Sequence, residues 1–286
     1  MKNILCLTDF SAASQKAVQY AAWLSLRCNA SLTLLHAVQL HLLEGENAVM
    51  ANAQTVNAQI HMAERSLHET CEHLQQKFSK EEPDHELTCD FIVREGLLID
   101  TVKSIQGEGK FDFIIMGTTG GGADKLEDLM VGSNTVQIME NIQCPILAVP
   151  VDCRVQHLEK IIFASSYHER DYEAVAKIVP IAQCLNSQIH IVHVGKTDSE
   201  KEQADFKLFC RPIAQKTTYD RLHFNLITHE DTDEGLLTFV KETRGDMIAL
   251  LAKEKGFVRK YFHQSIVESI AYHSKVPFLI LHEDDL

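Results

Sequence analysis

The residues best suited to chemistry lie between Met116 and Thr135, in MGTTGGGADKLEDLMVGSNT. An apolar run, FDFIIM, leads into Gly117, Gly120, Gly121 and Gly122, and Gly132-Ser133 stands where a helical pattern resumes. Glycines permit positive φ and let a bulky anion approach the main chain. A helix starting at Ser133 or Asn134 would aim unpaired N–H groups and its positive dipole end at that anion. Ser133 and Thr135 would add hydroxyl donors. The expected chemistry is phosphate binding. No Lys-Ser/Thr follows the glycines, so this is not a Walker loop, and the glycines do not open a helix directly in GxGxxG spacing.

The surrounding chain reads as strands and helices in alternation. Residues 3–8, NILCLT, suit a strand buried on both faces. Asp9-Phe10-Ser11 breaks it, and Ser11 can cap a helix over residues 13–28. LTLLHAV at 32–38 is a second strand, and the long polar stretch to Ser79 reads as a loop followed by one helix. A third strand over 87–93, a helix over 96–105, the strand FDFIIM, the glycine loop with its helix to Asn141, and a fifth strand in CPILAVP complete the set. Such alternation predicts a parallel sheet with helices on both sides.

The second half repeats the first. An offset of 157 lays residues 3–38 on 160–195 without a gap, with NILCLTDF on KIIFASSY and His36 on His193. REGLLIDTVK then matches DEGLLTFVKE, FDFIIMG matches GDMIALL, and CPILAVP matches VPFLILH. The 286 residues therefore read as two copies of one domain, over 1–150 and 157–286, joined near Val151 to His157. The copies diverge at the glycines. Asp9 becomes Ser166, Gly117 becomes Leu251, Gly120 becomes Glu254, and Gly132-Ser133 becomes Gln264-Ser265. A phosphate would meet side chains in the second copy where the first offers backbone.

Composition narrows the partners. A net charge of −13 argues against nucleic acid or an acidic membrane, both of which need clustered Lys and Arg. No stretch approaches the ~18 apolar residues of a membrane helix, and MKNILCLTDFS enters a strand at once rather than a leader. These features predict a cytoplasmic protein. The eight cysteines show no CxxC or metal spacing and read as small core residues.

A strand ending in Asp, a strand ending LHAV, a strand ending MGTTG, and Gly-Ser at a helix start before CPILAVP together resemble the universal stress protein family. The similarity extends over both halves, so the chain resembles a tandem member. The resemblance implies a five-stranded parallel sheet in an adenine-nucleotide-binding, Rossmann-like α/β fold, with ATP or AMP as ligand. It implies that Thr8, Asp9 and the main chain of Ala37 line an adenosine pocket. Met116, Gly117 and Gly120 would border the ribose and phosphates, and Gly132, Ser133, Asn134 and Thr135 would hold the phosphate tail. The family's loop is G-x2-G-x9-G-S/T, whereas eleven residues separate Gly120 from Gly132 here. Either the loop is two residues longer, or Gly122 takes the second glycine's place. Asp124, Glu127 and Asp128 read as solvated surface, with Mg2+ as the alternative that reconciles them with an anion.

His36 and His193 are expected to be hydrogen-bonded structural histidines, because the second copy keeps one while losing the glycines. Ser166 followed by Glu169 fits a capping box. His61, His68 and Cys71 share helical spacing without further metal character. No catalytic residue is assigned. Three functional readings follow: a nucleotide-binding stress-response protein whose second domain completes a pseudo-dimer through the last strands, with further homodimerisation; a weak ATP hydrolase or nucleotidyl transferase; and a nucleotide-free scaffold.

Overall fold

The computed structural model describes residues 1–39, 48–108, 111–118, 133–252 and 276–283. Strand β1 (Asn3–Leu7) shows why a parallel sheet forms. Ile4 and Cys6 enter the apolar layer on one face, Leu5 and Leu7 the layer on the other. All four are buried. A strand with two apolar faces must be covered on both, and helices following β1 (α1, Ala12–Cys28), β2 (Ser31–Val38), β3 (Cys89–Glu95) and β4 (Phe113–Gly117) do so. These are α1, α2 (Ala48–Glu81), α3 (Leu98–Gly107) and α4 (Ser133–Asn141), and β5 (Ile146–Val149) ends the first half. In α2 the buried residues Ala63, Leu67, Cys71, Leu74 and Phe78 recur every three or four positions, the stripe an amphipathic helix needs.

The second half runs β6 (Lys160–Ala164), α5 (Asp171–Leu185), β7 (Gln188–Gly195), α6 (Glu200–Lys216), β8 (Leu222–Thr228), α7 (Thr232–Thr243), β9 (Met247–Ala252) and β10 (Phe278–His282). All ten described strands join one sheet in the order β3-β2-β1-β4-β5-β10-β9-β6-β7-β8. Read from its outer edge, each half has the same order. Every pairing is parallel except β5 with β10, where Leu147 faces Leu279 in antiparallel register. The fold is thus α/β, two tandem copies of a five-stranded parallel sheet. The segments CPILAVP and VPFLILH supply the strands that meet at the junction.

Local signals repeat with the offset. Ser11 caps α1 by accepting the Ser14 N–H, and the helix ends at Asn29 in the left-handed conformation, φ 50°. The matching Asn186 ends α5 at φ 54°. Asparagine tolerates this conformation because its side chain can bond locally. The start of α5 departs from expectation. Ser166 does not cap it; the helix begins at Asp171, preceded by Arg170 with no side-chain cap. Tyr167 takes a left-handed turn, φ 60°, and the Asp171 carboxyl itself accepts the His168 N–H at 3.2 Å, replacing the predicted capping box.

Candidate functional site

In the order β3-β2-β1-β4-β5 the chain leaves β1 toward opposite sides, to β2 first and later to β4. A crevice opens at the carboxyl ends of strands where such a reversal occurs. Thr8 and Asp9 lie at its base, just beyond β1. Thr8 donates its N–H to Leu35 O at 2.9 Å, its hydroxyl donates to Ser14 Oγ at 3.1 Å, and the same oxygen accepts the Phe10 N–H at 3.2 Å. Asp9 Oδ1 accepts the Ser11 N–H at 3.0 Å and the residue is exposed. These bonds hold Phe10 at φ 65°, a costly conformation for a bulky residue, with its ring 4.7 Å from that of His36. His36 Nδ1 lies 2.8 Å from Thr8 O. A carbonyl only accepts, so Nδ1 carries the proton and the ring braces the end of β1, as expected of a structural histidine.

Ala37 sits one step further up β2. Pairing of β1 with β2 reaches Leu7 opposite Leu35, and Leu35 O turns toward β1 to accept from Thr8. Main-chain groups alternate sides along a strand, so those of Ala37 point the same way, past the end of β1 and into the crevice. On the other wall stand Met116 and Gly117. The Met116 side chain is in the core, so only its main chain can face a ligand. A Cβ on Gly117 would come within 2.7 Å of the Ala13 carbonyl carbon, so glycine is required where the first turn of α1 crosses β4.

Helix α4 begins beside this wall. Thr135 is buried and its hydroxyl donates to Gly117 O at 3.1 Å, with Thr118 O at 3.4 Å. The hydroxyl therefore ties helix to strand instead of standing free, as the sequence suggested, to meet an anion. Ser133, Asn134 and Thr135 form the first described turn of α4. Asn134 is exposed. Gly120, Gly122 and Gly132, the Ser133 side chain, and the acidic run Asp124 to Asp128 lie outside the described residues. Thr8, Asp9, Ala37, Gly117, Asn134 and Thr135 are thus gathered at the carboxyl ends of β1, β2 and β4. Sequence reasoning missed Phe10 and Ser14, whose roles depend on turn geometry.

The matching crevice of the second half is built from side chains. Ser165 repeats Thr8: its N–H donates to Val192 O at 2.8 Å and its hydroxyl accepts the Tyr167 N–H at 3.1 Å. Beneath it, however, Asp171 replaces Ser14, 1% exposed, with Oδ2 accepting the Ser165 hydroxyl at 2.5 Å. The Tyr167 ring stacks on His193 with centroids 3.6 Å apart. His193 Nδ1 lies 2.9 Å from Ser165 O, repeating His36. Glu202, in the first turn of α6, accepts the Tyr167 hydroxyl at 3.2 Å and lies 3.3 Å from His193 Nε2. Burial, with the Glu202 charge second, pushes the Tyr167 phenol well above its ordinary value, so it remains a donor. The Glu202 stem covers the end of β7, since a Cβ on Gly195 would meet Glu202 Cγ at 3.1 Å. Leu251 is buried where Gly117 stands in the first half. The offset places Asp171 opposite Ser14, so α5 starts two residues later than α1.

No curated protein matches the sequence. Among solved structures, a universal stress protein from Archaeoglobus fulgidus DSM 4304 superposes with a TM-score of 0.68 at 17% identity, covering 99% of this chain and 97% of that one. A putative universal stress protein from Pseudomonas aeruginosa UCBPP-PA14 superposes with a TM-score of 0.59 at 14% identity, covering 100% and 94%. A functionally unknown protein from Pseudomonas aeruginosa PAO1 gives 0.57 at 14% identity, covering 100% and 94%. At these identities the likeness establishes fold. The model of the universal stress protein family matches residues 1–150, more than half of the sequence, and the chain belongs to that family.

Proposed function

We propose that the first half binds an adenine nucleotide, ATP or AMP, across the carboxyl ends of β1, β2 and β4. The observation that carries this reading is the pairing of two main-chain features on opposite walls of one crevice. The Ala37 main chain extends past β1 on one side, and the first turn of α4 stands beside Gly117 on the other. A donor and an acceptor on one extended residue suit the edge of a base. The N–H groups and positive dipole end of a helix start suit phosphates. The exposed Asp9 carboxylate sits between them, where it can accept from ribose hydroxyls. Mg2+, when bound with the triphosphate, would offset part of the phosphate charge.

On this reading, residues 1–150 and 157–286 form two domains, and the second completes an intramolecular pseudo-dimer through β5 and β10 without taking a nucleotide. Its crevice carries the Asp171 and Glu202 carboxyls and the Tyr167 ring. The protein then acts as a cytoplasmic stress-response binding module. Denaturing the purified protein and identifying released nucleotide by chromatography and mass spectrometry checks this, alongside Gly132→Glu. We expect about one ATP or AMP per chain in the wild type and none in the variant. Wild-type protein that is empty and fails to take up Mg-ATP would overturn the reading and leave the scaffold. Turnover lost in the variant would establish the hydrolase instead.

A further inference from the structure

Cys71 faces the sheet from the buried stripe of α2, between Leu67 and Leu74. Cys89 opens β3 and, like Phe91 and Val93, packs on the same apolar layer. Period-3.6 and period-2 patterns bring the two residues to one point. Their Sγ atoms lie 2.7 Å apart, closer than the ~3.5–4 Å of ordinary non-bonded contact. A disulfide requires a further approach of only about 0.7 Å. The Cys71 Sγ also lies 3.7 Å from Asp90 O. Strand β3 is an outer edge of the sheet and Cys89 is half-buried, so a small oxidant can reach the pair from that side.

We propose that Cys71 and Cys89 form an oxidation site, closing to a reversible intramolecular disulfide on reaction with a peroxide. The Cys71 thiolate attacks one peroxide oxygen. The O–O bond breaks, a sulfenic acid forms, and the departing hydroxide is protonated to water. The Cys89 sulfur then attacks the Cys71 sulfur; the S–S bond forms, the S–O bond breaks, and the leaving hydroxide takes the Cys89 proton as a second water. Two thiols are oxidised by two electrons and one peroxide is reduced.

The order of attack has a physical basis. Either sulfur can donate across the contact; with Cys89 as donor, its S–H lowers the Cys71 thiol, while the same bond and burial raise that of Cys89. A second sulfur pair, Cys28 with Cys184, joins the ends of α1 and α5, but burial raises the Cys28 thiol strongly. The thiolate is the nucleophile, so the Cys71 pair reacts first. The bond closes a loop between α2 and the edge strand and confines the unfolded chain.

Treatment of the full chain with hydrogen peroxide, alkylation of remaining thiols and non-reducing peptide mapping provide the test. Expected are an early mass loss of two hydrogens, a cross-link between the Cys71 and Cys89 peptides, and a melting temperature raised by roughly 5–10 °C. Dithiothreitol should reverse all three. Cys184→Ser should retain them and Cys89→Ser should lose them. A first cross-link at Cys28 and Cys184, a retained metal ion bridging the sulfurs in place of the bond, or both thiols still alkylated after treatment would overturn the proposal. The wild-type map decides this even where a variant folds poorly.

Discussion

Thr8 and Ser165 hold the same turn in the same way, yet the crevices above them differ. Each takes an N–H bond across to the second strand of its half and each accepts the N–H of a left-handed aromatic residue two positions on. The described contrast lies in which side chains stand there: Asp171 replaces Ser14, Tyr167 replaces Phe10 and Leu251 replaces Gly117, and Glu202 bonds the Tyr167 hydroxyl beside His193. The turn can thus persist while the residues above it change, because it also terminates a core strand and orients a helix. Retention of His36 and His193 has the same cause, since each braces the strand end through its Nδ1.

Importing the second half's residue into the first should erase the difference most strongly. Gly117→Leu places a side chain where even a Cβ meets Ala13 main chain at 2.7 Å, and we expect nucleotide affinity to fall at least ~100-fold, with α1 displaced. Titration with a fluorescent ATP analogue measures it; unchanged affinity would mean that the wall of β4 is not part of the site. A circular-dichroism scan separates lost binding from lost folding.

The next effect concerns the buried carboxyl. Asp171→Ala leaves the Ser165 hydroxyl and the His168 N–H without their acceptor and should cost about 1–3 kcal/mol in urea unfolding. Ser14→Ala in the first half removes two neutral bonds, from the Thr8 hydroxyl and to Ser11 O, at a partly exposed helix start, and should cost less, about 0.5–1.5 kcal/mol. Equal losses would show that the two turns depend alike on that position.

The smallest contrast lies in acid. His190 stacks beside His223 on the adjacent strand, 4.7 Å between centroids, where the first half has Thr33 beside Asp90. Burial first, then the charges of His223 and Lys160, lower its pKa from 6.5 to about 4. The unfolded chain therefore binds this proton first as pH falls. The associated stability is complete above about pH 6.5 and is lost progressively toward pH 4. Comparing urea midpoints at neutral and mildly acid pH, His190→Thr should flatten this part of the profile. A variant with the same acid slope as the wild type would assign the slope to other groups.

Much of the architecture was legible from residues. Apolar runs named the strands, the gapless offset of 157 named the repeat, and Asn29 and Asn186 fell at matching helix ends. Boundaries moved where turns intervened: β3 starts at Cys89 rather than Leu87, and α3 at Leu98, because Gly96 lies in a positive-φ turn, φ 134°. The candidate site was half legible. Thr8, Ala37 and Gly117 were implied by the family resemblance and lie at strand ends, but the Thr135 hydroxyl is engaged by main-chain carbonyls that no spacing rule identifies.

By itself the sequence determined the α/β class, the tandem repeat and the divergence of the second copy at Gly117. These rest on periodicity and local conformational cost, which neighbouring residues set. Tertiary structure alone decided that Asp171 lies beneath Ser165, that Glu202 reaches both Tyr167 and His193, and that Cys71 meets Cys89. Each joins residues on different elements. Their meeting depends on how helices settle on the sheet to fill its apolar faces, a many-body packing result that no single stretch of sequence carries.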